Sequence, residues 1–153
     1  MVANAAIVPA GTGGAISAYA NANTDLVLDI NGYFASTGQN GLALYLSAPC
    51  RAYDSRNNHG QPFTGERTIG IVGNAARQCG GVCVQRDGRA QGALGYLTLW
   101  QDGQPQPTAS TLNALDGAIT SNMAIVPTTN GSIDAYAAGL TQLLLDISGY
   151  FAP

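Results

Sequence analysis

Asp54, Ser55 and His59 fall within one short segment. These are the residue types of nucleophilic hydrolysis, where an imidazole takes the hydroxyl proton and a carboxylate orients the imidazole. His59 is the only histidine, so it is the one imidazole able to act as a base near neutral pH. A catalytic reading therefore rests on Asp54, Ser55 and His59. Against it, Asp54 and Ser55 are adjacent, and no Gly-x-Ser-x-Gly elbow occurs. The competing reading pairs Asp54 with Arg51 or Arg56 to fix a loop, and the spacing favours it.

A second set of residues has oxygen ligands to offer. Asp29 with Asn31, and Asp146 with Ser148, repeat the same spacing, and Asp25 and Asp134 stand nearby in sequence. Carboxylate, amide and hydroxyl oxygens suit calcium. The pattern matches only the start of an EF-hand loop and lacks its closing Glu. An Asx turn capping a strand is the structural alternative and the one the pattern favours. A calcium ion held by Asp29, Asn31 and Asp146 would polarise an ester or lactone carbonyl and bind the attacking water. Zinc is not expected, since Cys50, Cys79 and Cys83 have a single histidine to join them. One disulfide with one thiol left over is the expected use, closing Cys79–Cys83 or tying Cys50 to either. A disulfide implies an oxidising compartment. Glu66, the sole Glu, sits beside Arg67 as a surface pair. Among the aromatics, which mostly suit a core, Trp100 precedes a polar turn and is the best candidate for an exposed ligand platform.

These residues are set in a chain that states one pattern twice. Asn4–Pro9, Gly14–Ala20 and Leu26–Ala35 return as Asn122–Pro127, Gly131–Ala137 and Leu143–Ala152, with one extra residue in the first Gly-rich turn. The period exceeds the roughly 20–50 residues of solenoid and propeller units, so a whole domain is repeating. Residues 1–35 read as the C-terminal part of a preceding repeat, 36–44 as a joint, and 45–153 as the main domain.

Many short alternating runs punctuated by Gly, Pro and Asn predict an all-β fold. It would be an antiparallel sandwich or barrel of short strands with a duplicated hairpin unit at the two ends. Strands are expected at 4–9, 15–20, 26–30, 42–46, 67–72, 95–100, 110–115, 122–127, 132–137 and 143–147, whereas 73–93 fits no element. Nearly half of the residues are apolar and a tenth are charged, which excludes a disordered chain. The six basic residues are all Arg, confined to positions 51–89, and the net charge is −3. That balance argues against nucleic acid as a partner. There is no apolar run long enough to span a membrane, and the first 20 residues, which lack a basic start and a clean apolar stretch, are not expected to be a signal peptide.

Five ordered segments carry a resemblance: Pro49-Cys50-Arg51-Ala52-Tyr53-Asp54-Ser55-Arg56, Gly95–Trp100, Pro107–Asn113, Asn122–Pro127 and Leu145–Ala152. Together they resemble a family of bacterial extracellular β-domains found in tandem in large surface or secreted proteins of soil bacteria. In that family a β-rich stretch precedes Gly95–Trp100. Here Val82–Arg89 stands in its place, which implies a missing central strand. The resemblance implies that residues 1–35 fill such a gap in cis or in trans, and that the chain is a homo-oligomer through edge strands. It further implies a secreted or cell-surface parent protein and a structural, adhesive or carbohydrate-contacting module. In context, though not in catalytic motif, the chain is also similar to soil-metagenome hydrolases of acyl-homoserine lactones. The alternative function is thus a small calcium-dependent lactonase acting in quorum quenching.

Overall fold

The structure is a computed structural model and describes residues 5–6, 8–30, 32–34, 41–57, 61–71, 82–85 and 92–153, with 47, 49, 82–85 and 148 described by backbone alone. Among the described residues the regular structure is a short 3-10 turn (Thr12–Gly14) and eight strands: β1 (Ala43–Asp54), β2 (Phe63–Gly70), β3 (Val82–Gln85), β4 (Gly95–Gln101), β5 (Leu112–Ala114), β6 (Ser121–Ala124), β7 (Ser132–Thr141) and β8 (Leu144–Ala152). They form two four-stranded sheets, ordered β1-β8-β3-β6 and β2-β7-β4-β5. Every ladder is antiparallel.

Alternation explains why the sheets stack. In β7, Ile133, Ala135 and Ala137 turn inward, as do Leu97 and Leu99 of β4 and Leu112 and Ala114 of β5. Leu145 and Ile147 of β8 meet them from the other sheet, with Cys50, Ala52 and Tyr53 of β1 packed against the same cluster. A core fed by two inner faces is that of a β-sandwich. Each fully buried Leu or Ile stabilises it by about 1.5–3 kcal/mol.

β1 begins as expected but runs further. Its register with β8 slips between Leu46 and Cys50, across Pro49, which has no amide to give the ladder. An edge strand tolerates that loss as a bulge. A second slip between Arg51 and Tyr53 precedes the turn at Ser55–Asn57.

Two expectations are revised. Val82–Gln85 does form a strand, pairing with both β8 and β6, so the place expected to be vacant is filled by four residues of the chain itself. The rest of 73–93 up to Gln91, like residues 36–40 of the joint, lies outside the described residues. The repeated unit is also not a hairpin. β6 and β8 belong to one sheet and β7 to the other, so 125–131 and Gln142-Leu143 carry the chain across the sandwich. At the second crossing Leu143 is 1% exposed, because an apolar residue there caps the core. Gly139 lets β7 pass against the segment before β4, since a Cβ there would lie 2.5 Å from the Ala93 carbonyl oxygen.

The first copy of the repeat has no strand partners among the described residues. A further expectation is revised there: residues 15–30, read as holding strands at 15–20 and 26–30, form no strand and are exposed. Near its two ends it touches the body: the Ala5 amide donates to Asn122 Oδ1 (3.0 Å), and Phe34 meets Phe151 at 6.0 Å between centroids.

This contrast sets an expected outcome. Leu145→Ala empties a fully buried site and should cost ~2–5 kcal/mol in urea unfolding. Leu28→Ala, at the matching position of the first copy, is an exposed site and should stay within ~0.5 kcal/mol of the parent.

The thiols give a second. Cys50 is disulfide-bonded. Cys50 lies opposite Ile147 on one side of β8, and Cys83 lies opposite Asp146 on the other. Two strand spacings put their Cα atoms about 9–10 Å apart, beyond the ~7 Å a disulfide can bridge. Peptide mapping without reduction should therefore yield no Cys50–Cys83 link. Cys79, the other cysteine of the chain, lies outside the described residues.

Candidate functional site

The end of β1, the turn after it and the start of β8 gather the charged residues that the sequence singled out. Asp54 closes the turn by accepting from Asn57 through its backbone oxygen (3.1 Å). Its side chain is 5% exposed and is ringed by donors. Oδ1 accepts from the Arg56 amide (3.0 Å) and from Arg56 Nε (2.8 Å). Oδ2 accepts from Arg56 Nη2 (2.6 Å) and Arg51 Nη1 (3.0 Å). Arg51 turns its other edge to Asp146, donating from Nε to Oδ1 and from Nη2 to Oδ2 (3.2 Å). Arg51 and Asp146 are register partners on neighbouring strands, so the ladder itself aligns this fork with its carboxylate.

These contacts set the charge states. Hydrogen bonding from the Arg56 side chain holds the Asp54 carboxyl below its ordinary range, against desolvation, with further help from the Arg56 amide and the charges of Arg56 and Arg51. Hydrogen bonding to Asp146 raises Arg51 further. Asp54 is thus fixed as a carboxylate between two guanidinium groups.

Ser55 is fully buried. Its amide donates to the Leu143 oxygen (3.0 Å). Its hydroxyl accepts from the Leu143 amide (3.0 Å) and donates to Gln142 Oε1. The hydroxyl proton is therefore directed at an amide oxygen, and the residue pins the β1 turn to the β7–β8 crossing. Asp54 and Ser55 are side by side as expected, but the Asp54 oxygens face arginines. His59, the third member of the expected trio, lies outside the described residues.

Two of the three expected calcium ligands are described. Asp146 is engaged by Arg51 on β8, Asp29 is exposed on the first copy, and Asn31 lies outside the described residues. Asp134 is buried on the outer face of the second sheet, where Oδ1 accepts from Thr68 Oγ1 (2.7 Å) and Oδ2 from the Gly103 amide (3.3 Å). Among the described residues no group of three or more His, Cys, Asp or Glu is placed to hold a metal ion.

Trp100 is not the exposed platform that its position before a polar turn suggested. It is 6% exposed, and its Nε1 donates to the Gln104 oxygen (2.8 Å). The turn folds back over the outer face of β4 and covers the indole, giving its one N–H a partner. The exposed aromatics are Phe34 and several tyrosines instead. Tyr45 of β1 and Tyr150 of β8 are register partners, and their rings stack at 5.1 Å with 17° between planes. Tyr96 and Tyr136 form a second pair at 5.7 Å. The sequence reading missed both pairs, because cross-strand contact depends on a register that no single segment encodes. It also missed Gln142, whose neutral polar side chain carries no chemical signature of its own.

Comparison with protein-family models, curated proteins and solved structures finds no match to this chain.

The Asp54 cluster predicts a pH dependence. A carboxyl with a lowered folded-state pKa contributes stability above its unfolded value, near 3.9, and loses it as pH falls through the lower folded value. Urea unfolding at pH 7 should show Asp54→Asn less stable by ~1–3 kcal/mol, since two arginines lose a charged acceptor. The difference between the two proteins should shrink as pH falls below about 4. An equal gap at pH 7 and pH 2 would remove the ionised carboxylate as its source.

Proposed function

We propose that this chain is a non-enzymatic extracellular module, structural or adhesive, from a tandem array of like β-domains, and that it contacts carbohydrate through exposed tyrosines. The observation that carries the reading is the Tyr45–Tyr150 pair. Both rings stand on the open face of the first sheet, 44% and 49% exposed, and they are fixed by strand register rather than by a mobile loop. Aromatic faces with polar tips suit the apolar C–H faces and hydroxyl rims of sugars. The groups that the sequence offered for bond-breaking chemistry, Asp54 and Ser55, hold the turn and the crossing together.

The domain-scale repeat supports the tandem arrangement. The Cys50 disulfide fits an oxidising compartment such as the outside of a cell. No helix among the described residues is long and apolar enough to cross a membrane.

The test is a pull-down on insoluble plant and microbial polysaccharides. The parent chain should be retained on at least one, and Tyr45→Ala with Tyr150→Ala should weaken retention by about tenfold or more, as for a central aromatic anchor. Trp100→Phe should bind like the parent. No retention on any polysaccharide would sink the carbohydrate part of the reading.

A further inference from the structure

One sequence stands in two opposite environments. Leu26, Val27, Leu28 and Ile30 match Leu143, Leu144, Leu145 and Ile147. The second set is at most 5% exposed, and the first is at least 61% exposed. Ile16 is half exposed where its counterpart Ile133 is fully buried. A run of exposed apolar residues marks an interaction surface, and here the second copy shows what covers it. In that copy the same pattern forms β7, flanked by β2 and β4, and β8, flanked by β1 and β3.

Two of the polar positions keep a side-chain acceptor, while Asp134, which accepts from Thr68 and Gly103, has Ser17 as its counterpart. Asp29 corresponds to Asp146, which takes the guanidinium of Arg51. Asp25 corresponds to Gln142, whose side-chain oxygen accepts from Ser55. An aspartate in that place keeps the acceptor. The first copy thus retains the inward apolar positions and the two acceptors that bind β8 and the crossing before it to β1 and its turn.

We propose that residues 14–34 are a strand donor that completes a second domain of this kind. They take, in its sandwich, the two places that β7 and β8 hold here. The partner is a β1–β6 body whose β1 sets an arginine opposite Asp29 and a serine beside Asp25. This rests on the tandem-module reading for the kind of partner, but not on carbohydrate contact. Counting excludes the chain's own body: one chain has two copies of the donor and one body, and the second copy already fills it. Strand addition of this type gains main-chain hydrogen bonds along both flanks and pockets for alternate side chains.

One position defines the partner further. Ala22 stands where the second copy has Gly139, and a Cβ at Gly139 would meet the Ala93 and Leu94 carbonyl oxygens at 2.5 and 2.9 Å. The partner body therefore has more room before its β4 than this chain does. When this chain is the acceptor, the donor needs Ala22→Gly.

The test uses two full-length chains, co-expressed. The acceptor carries Leu28→Asp, Ile30→Asp, Leu145→Asp and Ile147→Asp, which disable both of its own copies. The donor carries Ala22→Gly and an affinity tag. The expected result is a 1:1 complex in which the acceptor melts cooperatively. A donor that also carries Leu28→Asp and Ile30→Asp should capture none. Register is read by charge exchange: Arg51→Asp in the acceptor should lower the melting temperature of the complex, and Asp29→Arg in the donor should restore it. Absence of the complex, equal capture by the disabled donor, or no recovery on charge exchange would each overturn the proposal. The readout is folding of the acceptor, so it stands or falls separately from the polysaccharide pull-down.

Discussion

The sandwich depends on the crossing at Gln142 and Leu143. These two residues separate β7, central to one sheet, from β8, central to the other. A two-residue link between layers is short, and a buried backbone there must find partners for its amide and carbonyl. Ser55 supplies them: its hydroxyl accepts from the Leu143 amide and its own amide donates to the Leu143 oxygen. The Leu143 side chain meanwhile enters the core. One serine thus satisfies the crossing, and the turn that carries that serine is fixed by Asp54. The residues that resembled a catalytic group are those that make the layer change feasible.

The charge distribution follows from the same need. The arginines that contact Asp54 come from positions three before and two after it, so a single turn brings both to one carboxylate. A buried carboxylate with no partner would be neutralised or costly, and one with two guanidinium neighbours is neither. The net positive charge of that trio is then met by Asp146 across the ladder. Four groups balance in pairs, and the outer edge of the first sheet closes without a lone buried charge.

Much of the fold was legible because alternation and turn chemistry are local. Gly95–Trp100, Ser132–Ala137 and the Leu143–Ile147 run each declare a strand through period-two patterning or a continuous apolar run. Ser110–Leu115 and Asn122–Pro127 were placed within a few residues of β5 and β6. Which sheet each strand joins was not legible. The Thr128–Gly131 turn has the residues of a hairpin, yet the chain there changes layers, since a turn signal reports chain reversal and not the partner beyond it. Val82–Gln85 showed little strand character beyond its two valines and is a strand through its neighbours β6 and β8. At the candidate site, the pairing of Asp54 with Arg51 and Arg56 was readable from spacing. The bond from Ser55 to Gln142 joins residues 87 positions apart and was not. Trp100 misled because a polar, Pro-containing turn reads as solvent-exposed, whereas its backbone oxygen at Gln104 serves as the indole's partner.

The two copies of the repeat separate what sequence supplies from what surroundings supply. Leu26–Ile30 and Leu143–Ile147 have nearly the same β propensity, the same alternation and the same closing Gly-Tyr-Phe. The second forms a central strand and the first has no ladder among the described residues. Propensity is therefore equal while outcome differs, which is the expected behaviour when strand preference mostly reports packing against neighbours. Fixing a residue's backbone costs about 1–2 kcal/mol, and an isolated strand recovers little of that. With two flanking strands and a facing sheet, burial of Leu144, Leu145 and Ile147 repays it. A strand in this fold is thus a property of the slot as much as of the segment. The first copy carries a side-chain pattern that is costly to leave in water and fits one kind of surface, the open flanks of a body like its own.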